Sequence, residues 1–265
     1  MKRVACCGML LALAASVQAL PAYSRIYFGK YGYRASCTLC HTNGGGSSLT
    51  DYGRDFLRAG ANTSAFTKLE AKDSDKDGFP NLFEIRGKSN AGDERSTPKF
   101  LGDWLGDADK VPVPQKELKK LFADAEAFSG LEGSLNATQV EKVAKSAGEN
   151  LSDEDKVPTF YFALKGGKKY AVAQFIAVPT PKGPMSVAVA LDIRASVTGV
   201  RILKNPGDKS VENDAFLNQF IGKRQSDSVS IGANLVAAPG AIEPSKEVAI
   251  GVRKAVAVMN AVFGK

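Results

Sequence analysis

From residue 159 onward the chain alternates apolar and polar positions with the two-residue period of strands. The pattern predicts strands over Thr159–Leu164, Tyr170–Val178, Met185–Ile193 and Thr198–Leu203, with Gly166-Gly167 turning the first pair. Before and after this block the period changes to that of helices. Leu118, Leu121, Phe122 and Ala125 form one apolar stripe and predict a helix over Gln115–Phe128. Asn136 caps a second helix, with Gln139 three residues on, Val140, Val143, Ala144 and Ala147 on one face, and Gly148 as its stop. Two more are predicted near Asp214–Ile221 and Ser245–Phe263; the last carries Val248, Val252, Ala255, Val256, Met259 and Phe263 on one side. Strands grouped together and flanked by helices make this part of the chain α+β.

The first hundred residues are different: rich in Gly, Asp, Ser and aromatics, with one short predicted helix that Thr50 caps and Gly60 ends. Residues 101–115, with Gly102, Gly106, Pro112 and Pro114, read as a connector. The expected organisation is a leader at 1–19, a first domain at 20–110 and an α+β domain at 111–265.

Lys2 and Arg3, an apolar run from Val4 to Ala15, and the small-residue site Val17-Gln18-Ala19 form the pattern of a secretory signal, so export to the periplasm or beyond is expected. The run is too short to span a bilayer, and no later stretch is long and apolar enough. Cys6 and Cys7 lie inside this leader. The formal charge of +7 falls to +5 without Lys2 and Arg3. A bias that small, spread among many acidic and basic residues, favours acidic partners without forming a nucleic-acid footprint.

Cys37-Thr38-Leu39-Cys40-His41 then carries the chemistry. His41 is the only histidine of the chain, and Cys37 and Cys40 are the only cysteines beyond the leader. Structural zinc needs four such ligands and finds three here. A thioredoxin-like pair should follow a buried strand, which Tyr31-Gly32-Tyr33-Arg34 is not. Two thiols two residues apart with histidine next to the second form the attachment pattern of a c-type haem, the imidazole serving as axial ligand. Tyr27, Phe28, Tyr31 and Tyr33 are candidates to wall the macrocycle, and Gly44-Gly45-Gly46 permits a close turn beside it. Apart from His41 no His or Met occurs between Leu20 and residue 110, so a sixth iron ligand must be Met185 or Met259 from farther along, another side chain, another chain or a water.

Asp73-Ser74-Asp75-Lys76-Asp77-Gly78-Phe79-Pro80-Asn81-Leu82-Phe83-Glu84 matches the twelve-residue calcium loop. Asp73, Asp75 and Asp77 stand at positions 1, 3 and 5, glycine at 6 and Glu84 at 12. Phe79 offers its carbonyl, and Asn81 a side chain or a bridging water. Alternate carboxylates converge on one hard cation, and glycine allows the sharp turn. Pro80 and the early Gly87 depart from a paired EF-hand, so the expectation is a lone, dockerin-like loop with a structural Ca2+.

Taken in order, CxxCH, a glycine-rich turn, Leu49-Thr50-Asp51-Tyr52-Gly53-Arg54-Asp55-Phe56, the Asp-rich loop ending in Asn-x-x-Glu-Ile, and Gly87-Lys88-Ser89-Asn90-Ala91-Gly92-Asp93 resemble a group of small exported monohaem c-type cytochromes over residues 25 to 100. The resemblance implies a small, mainly helical or irregular haem domain and electron transfer to redox partner proteins. Residues 116 to 263 resemble the FMN-binding domain of flavoprotein subunits of Rnf-type and sodium-pumping quinone reductases. Phe216-Leu217-Asn218-Gln219-Phe220-Ile221-Gly222-Lys223, Gly240-Ala241 and Gly251-Val252-Arg253-Lys254-Ala255-Val256 carry that likeness. It implies an antiparallel sheet and brings a membrane quinone-linked complex among the candidate partners. In that family a threonine bears FMN through a phosphoester; Ile242 stands there, so no covalent link forms. Gly240, Ala241 and Ser245, just before a helix, with Lys223, Arg253 or Lys254 nearby, leave non-covalent FMN as the alternative to a flavin-free scaffold. A haem that senses a small ligand is the third reading.

Overall fold

The computed structural model describes residues 21–42, 47–108 and 111–264. The leader and Gly44-Gly45-Gly46 lie outside the described residues. The structure is mixed helix and sheet, with one five-stranded antiparallel sheet in the order β1-β2-β3-β4-β5. The strands are β1 (Ala127–Glu132), β2 (Thr159–Lys165), β3 (Lys168–Val178), β4 (Met185–Asp192) and β5 (Val197–Lys204).

Four of these strands stand where the alternation put them. The fifth, β1, was missed, because the predicted helix stops early: α5 spans Gln115–Leu121. Just beyond its end the Asp124 carboxylate accepts from the Tyr170 hydroxyl at 2.8 Å and pairs with Lys165 at 3.0 Å, both on the β2–β3 hairpin. The chain then turns onto the sheet edge, and Ala127 to Glu132 pair with β2.

Alternation along the strands sorts the two faces. Phe160, Val172, Val187, Val189 and Leu191 pack against the long C-terminal helix α8 (Ile242–Phe263), and Val143 of α6 (Ala137–Ala147) joins that core. The capping box of Asn136 and Gln139 starts α6, and Gly148 at φ 78° ends it, as predicted. On the other face Tyr161, Ala163, Ala171, Ala173 and Ala190 pack with Leu118 and Phe122 of α5. Small residues there let a short helix lie close to the sheet. A four-residue helix α7 (Asp214–Leu217) and a 3-10 turn over Asn218–Phe220 take the place of the helix expected at 214–221.

Residues 27 to 91 bury a separate aromatic cluster, centred on Tyr27, Tyr52, Phe56, Phe66 and Ile85. It is built by α1 (Pro21–Tyr31), α2 (Asp51–Arg58), α3 (Thr63–Leu69) and α4 (Asn81–Gly87). Thr50 caps α2, accepting from the Gly53 amide as its sequence position suggested. Two polar contacts tie this part to the sheet. Arg34 Nη2 lies 2.9 Å from a carboxylate oxygen of Glu132, and Arg25 donates to the Thr159 hydroxyl at 3.3 Å.

Candidate functional site

Ser36, whose hydroxyl accepts from the Thr38 amide, starts a single 3-10 turn over Cys37–Leu39. The His41 amide closes it on the Cys37 carbonyl at 2.9 Å. A short bridge between His41 and Leu49 folds the chain back, and Thr50 fixes the return by donating its hydroxyl to the Leu39 carbonyl at 2.7 Å. Helix α2 then crosses the turn so closely that a Cβ on Gly53 would lie 2.2 Å from the Cys40 carbonyl oxygen. From the other side a Cβ on Gly92 would lie 2.3 Å from the Leu39 carbonyl oxygen. Two motifs that follow the cysteines in sequence, at 49–56 and 87–93, thus pack on the turn itself, and both glycines are there for space.

The turn presents Cys37, Cys40 and His41 to one apolar crevice, which Tyr23, Phe56 and Phe66 help to line. Pro112 of the connector closes one side. The enclosed volume is about 70 Å³, too small to close over a porphyrin. Cys37 and Cys40 are not joined in a disulfide. Burial, and then the neighbouring Cys37, push the Cys40 thiol up to about 12. Redox-exchange and zinc-ligating cysteines need the opposite shift. His41 is 2 % exposed, and its Nδ1 lies 2.9 Å from the Ser47 carbonyl. A carbonyl only accepts, so Nδ1 carries the proton and the Nε2 lone pair is left to bind a metal. An apolar wall, two thiols and an oriented imidazole fit a covalently held haem.

Of the aromatics singled out beforehand, Tyr27 lines the crevice. Tyr33 instead supports it, exchanging a hydrogen bond with Tyr27 at 2.7 Å and donating to the Ile85 carbonyl. Phe28 is exposed, and Tyr31 donates to Glu70 on the outer side. Tyr23, Phe66 and Pro112 were not foreseen, because folding rather than sequence proximity brings them in. Met185 and Met259 are buried in the sheet–α8 core. Among the described residues lining the crevice there is no methionine or lysine.

The carboxylates of Asp73, Asp75 and Asp77 converge, one oxygen of each lying within 4.8 Å of the others, an arrangement that can hold a metal ion. The loop is shaped by its own amides: Lys76 and Gly78 donate to Asp73, Asp77 to Asp75, and Phe79 to Asp77. Asp75 Oδ2, Asp77 Oδ2 and Glu84 Oε2 are buried without a partner. Burial first, and Asp77 second, raise Asp75 to about 6; burial, then Asp75 and Asp77, raise Glu84 to about 8. Crowded, dehydrated carboxylates with bare oxygens are what a divalent cation relieves. Asn81 departs from expectation. Its Oδ1 accepts from the Ser74 amide and its Nδ2 donates to the Leu69 carbonyl and the Ser74 hydroxyl, so its side chain braces the loop rather than facing the carboxylates. The ring of Phe79 stacks on Phe83.

Gly240, Ala241 and Ser245 do not form a phosphate cradle. The Ser245 hydroxyl is fully buried, accepting from the Ala238 amide and donating to the Ala241 carbonyl. Gly240 turns with φ 70°, Ala241 is buried, and Ile242 is 59 % exposed at the helix start. Glu243 occupies the first turn and pairs with Lys246. Two of the cations expected to help are engaged elsewhere: Arg253 donates to the Ala147 and Val229 carbonyls, and Lys254 is paired with Glu149 and Asp155. These residues do not fit FMN.

No protein-family model and no curated protein matches the chain.

Proposed function

We propose that the chain is an exported monohaem c-type cytochrome acting in electron transfer, with Cys37 and Cys40 fixing the haem and His41 as its axial ligand. The observation that carries this reading is the pairing of His41 Nδ1 with the Ser47 carbonyl beside two unbridged cysteines in an apolar crevice. Haem supplies a one-electron couple when bound. The chain's part is to orient the imidazole through Ser47, to keep water from that face with Phe56 and Phe66, and to leave the mouth of the crevice open to a redox partner protein. In this reading residues 20–110 are the haem and calcium domain. Ca2+ is held by Asp73, Asp75, Asp77 and Glu84, with the Phe79 carbonyl, and pins α4 to the loop. Residues 111–265 act as a flavin-free scaffold that docks a partner or tunes the haem; a membrane quinone-linked complex is one such partner.

The test is the mature protein produced by export in a host that attaches haem. A haem that stays with the polypeptide through denaturation, and is lost when Cys37 and Cys40 are both changed to serine, is the expected result, with no flavin released by acid. A protein that carries no covalent haem under those conditions sinks the proposal. Flavin released at about one per chain would instead revive the haem-flavin reading.

A further inference from the structure

Buried side chains tie the acidic loop at residues 73–84 to the cysteine turn from both ends of the loop. Ser74, between Asp73 and Asp75, donates its hydroxyl to Asp55 Oδ2 at 3.0 Å, while Lys72 and Arg58 hold the other oxygen of Asp55. Asp55 stands on α2, two residues after Gly53, the glycine that rests on the Cys40 carbonyl. At the far end Glu84 Oε1 accepts from the Ser89 hydroxyl at 3.2 Å. The next residue, Asn90, donates its side-chain amide to the Thr38 carbonyl at 3.4 Å. Its Oδ1 accepts from the Gly92 amide, and Gly92 in turn abuts the Leu39 carbonyl.

Each link is buried: Asp55, Ser74, Glu84, Ser89 and Asn90. Water does not reach them, so a shift of the loop is either passed along or leaves a polar group bare at about 1–3 kcal/mol. The loop has a reason to shift. One oxygen from each of Asp73, Asp75 and Asp77 lies within 4.8 Å of the others, and Asp75 Oδ2, Asp77 Oδ2 and Glu84 Oε2 are buried without a partner. Carboxylates so confined repel one another until a cation joins them. Glu84 belongs to both systems, with one oxygen on Ser89 and the other bare. The Asn90 contact is longer than an ordinary N–H···O bond, so it gains most when the segment is drawn in.

We infer that a divalent cation in the acidic loop regulates the cysteine turn: its binding tightens the backbone of Cys37–His41 through Ser74 and Asp55 on one side and through Ser89 and Asn90 on the other. The inference rests on the reading of residues 73–84 as a calcium loop and not on haem. A ligand shifts a two-state element only by its differential affinity for the two states, and here the tight turn is the state in which the loop's two ends are held for the ion.

The test is amide hydrogen exchange of the full mature chain as purified, in saturating calcium and in chelator, with calcium binding followed in parallel by calorimetry. Calcium is expected to slow exchange in the peptide covering residues 36–42 by about fivefold or more. Helix α1, which none of these links reaches, should be slowed less. In Ser74→Ala with Ser89→Ala, neither of them offered as a ligand, calcium is expected still to bind while the slowing at 36–42 is lost. If that double variant does not fold, the contrast between the turn and α1 in the parent decides the matter. Calcium binding with unchanged exchange at 36–42, equal slowing in α1, or full slowing in the folded double variant overturns the inference and leaves the calcium loop standing. No binding at about 10⁻³ M calcium overturns both.

Discussion

Gly53 and Gly92 each touch a peptide carbonyl of the cysteine turn, one Cys40 and the other Leu39. Neither has room for a single added carbon. Gly53→Ala is expected to cost about 1–3 kcal/mol by overpacking against rigid backbone. In thermal unfolding it should therefore melt clearly below the parent, while Phe28→Ala, on an exposed ring, changes little. Equal melting temperatures for Gly53→Ala and the parent would refute the close approach. That Cys37, Cys40 and His41 share one turn was legible in the sequence, because they stand within five consecutive residues. Tyr23, Phe66 and Pro112 were not, since nothing local distinguishes a crevice wall from ordinary core. Asn81 shows the converse: its position in the loop was legible, but its bonds to Leu69 and Ser74 depend on how α3 docks.

At the scale of elements, the acidic loop at residues 73–84 sets the pH response. With no ion in the loop, burial and the neighbouring carboxylates raise Glu84 to about 8 and Asp75 to about 6, both above their ordinary values. The folded chain then holds protons that the unfolded chain has already released, so stability falls as pH rises from the ordinary carboxyl range toward 8. Melting temperature measured against pH in chelator should decline over that window, and a flat profile would contradict it. Calcium at a hundredfold excess over its dissociation constant is expected to add about 2.7 kcal/mol. That corresponds to a rise of roughly 5–10 °C for a chain of this size, and Asp75→Asn should abolish most of it. Among the larger elements, β2 to β5 and α6 were legible because alternation and caps are local signals. The boundary of α5 was not: its apolar stripe continues to Ala125, but the helix ends at Leu121 and Asp124 beyond it bonds Lys165 and Tyr170 of the β2–β3 hairpin. The short helices α3 and α4 carry too few turns for a period to show.

Across the whole molecule, no helix among the described residues is long and apolar enough to cross a membrane. The α+β class was legible from the order of periods along the chain. The contacts joining the aromatic cluster to the sheet were not, because Arg34 and Glu132 lie far apart in sequence and look like ordinary surface charges. Both are half-buried, and Arg34→Ala is expected to cost about 1 kcal/mol in denaturant unfolding, with Arg34→Lys recovering only part of it. If Arg34→Ala unfolds at the parent's midpoint, the pair contributes nothing to holding the two regions together. The glycine contacts on the cysteine turn also impose an order of events. A chain emerging from its N-terminus delivers the thiols first, Gly53 soon after, and Gly92 only once the whole acidic loop has followed. Thr50 bonds the Leu39 carbonyl as soon as α2 is in place, whereas Gly92 packs over it only once residues 90–92 fold, so the close packing of the turn is completed last by the segment farthest from it in sequence.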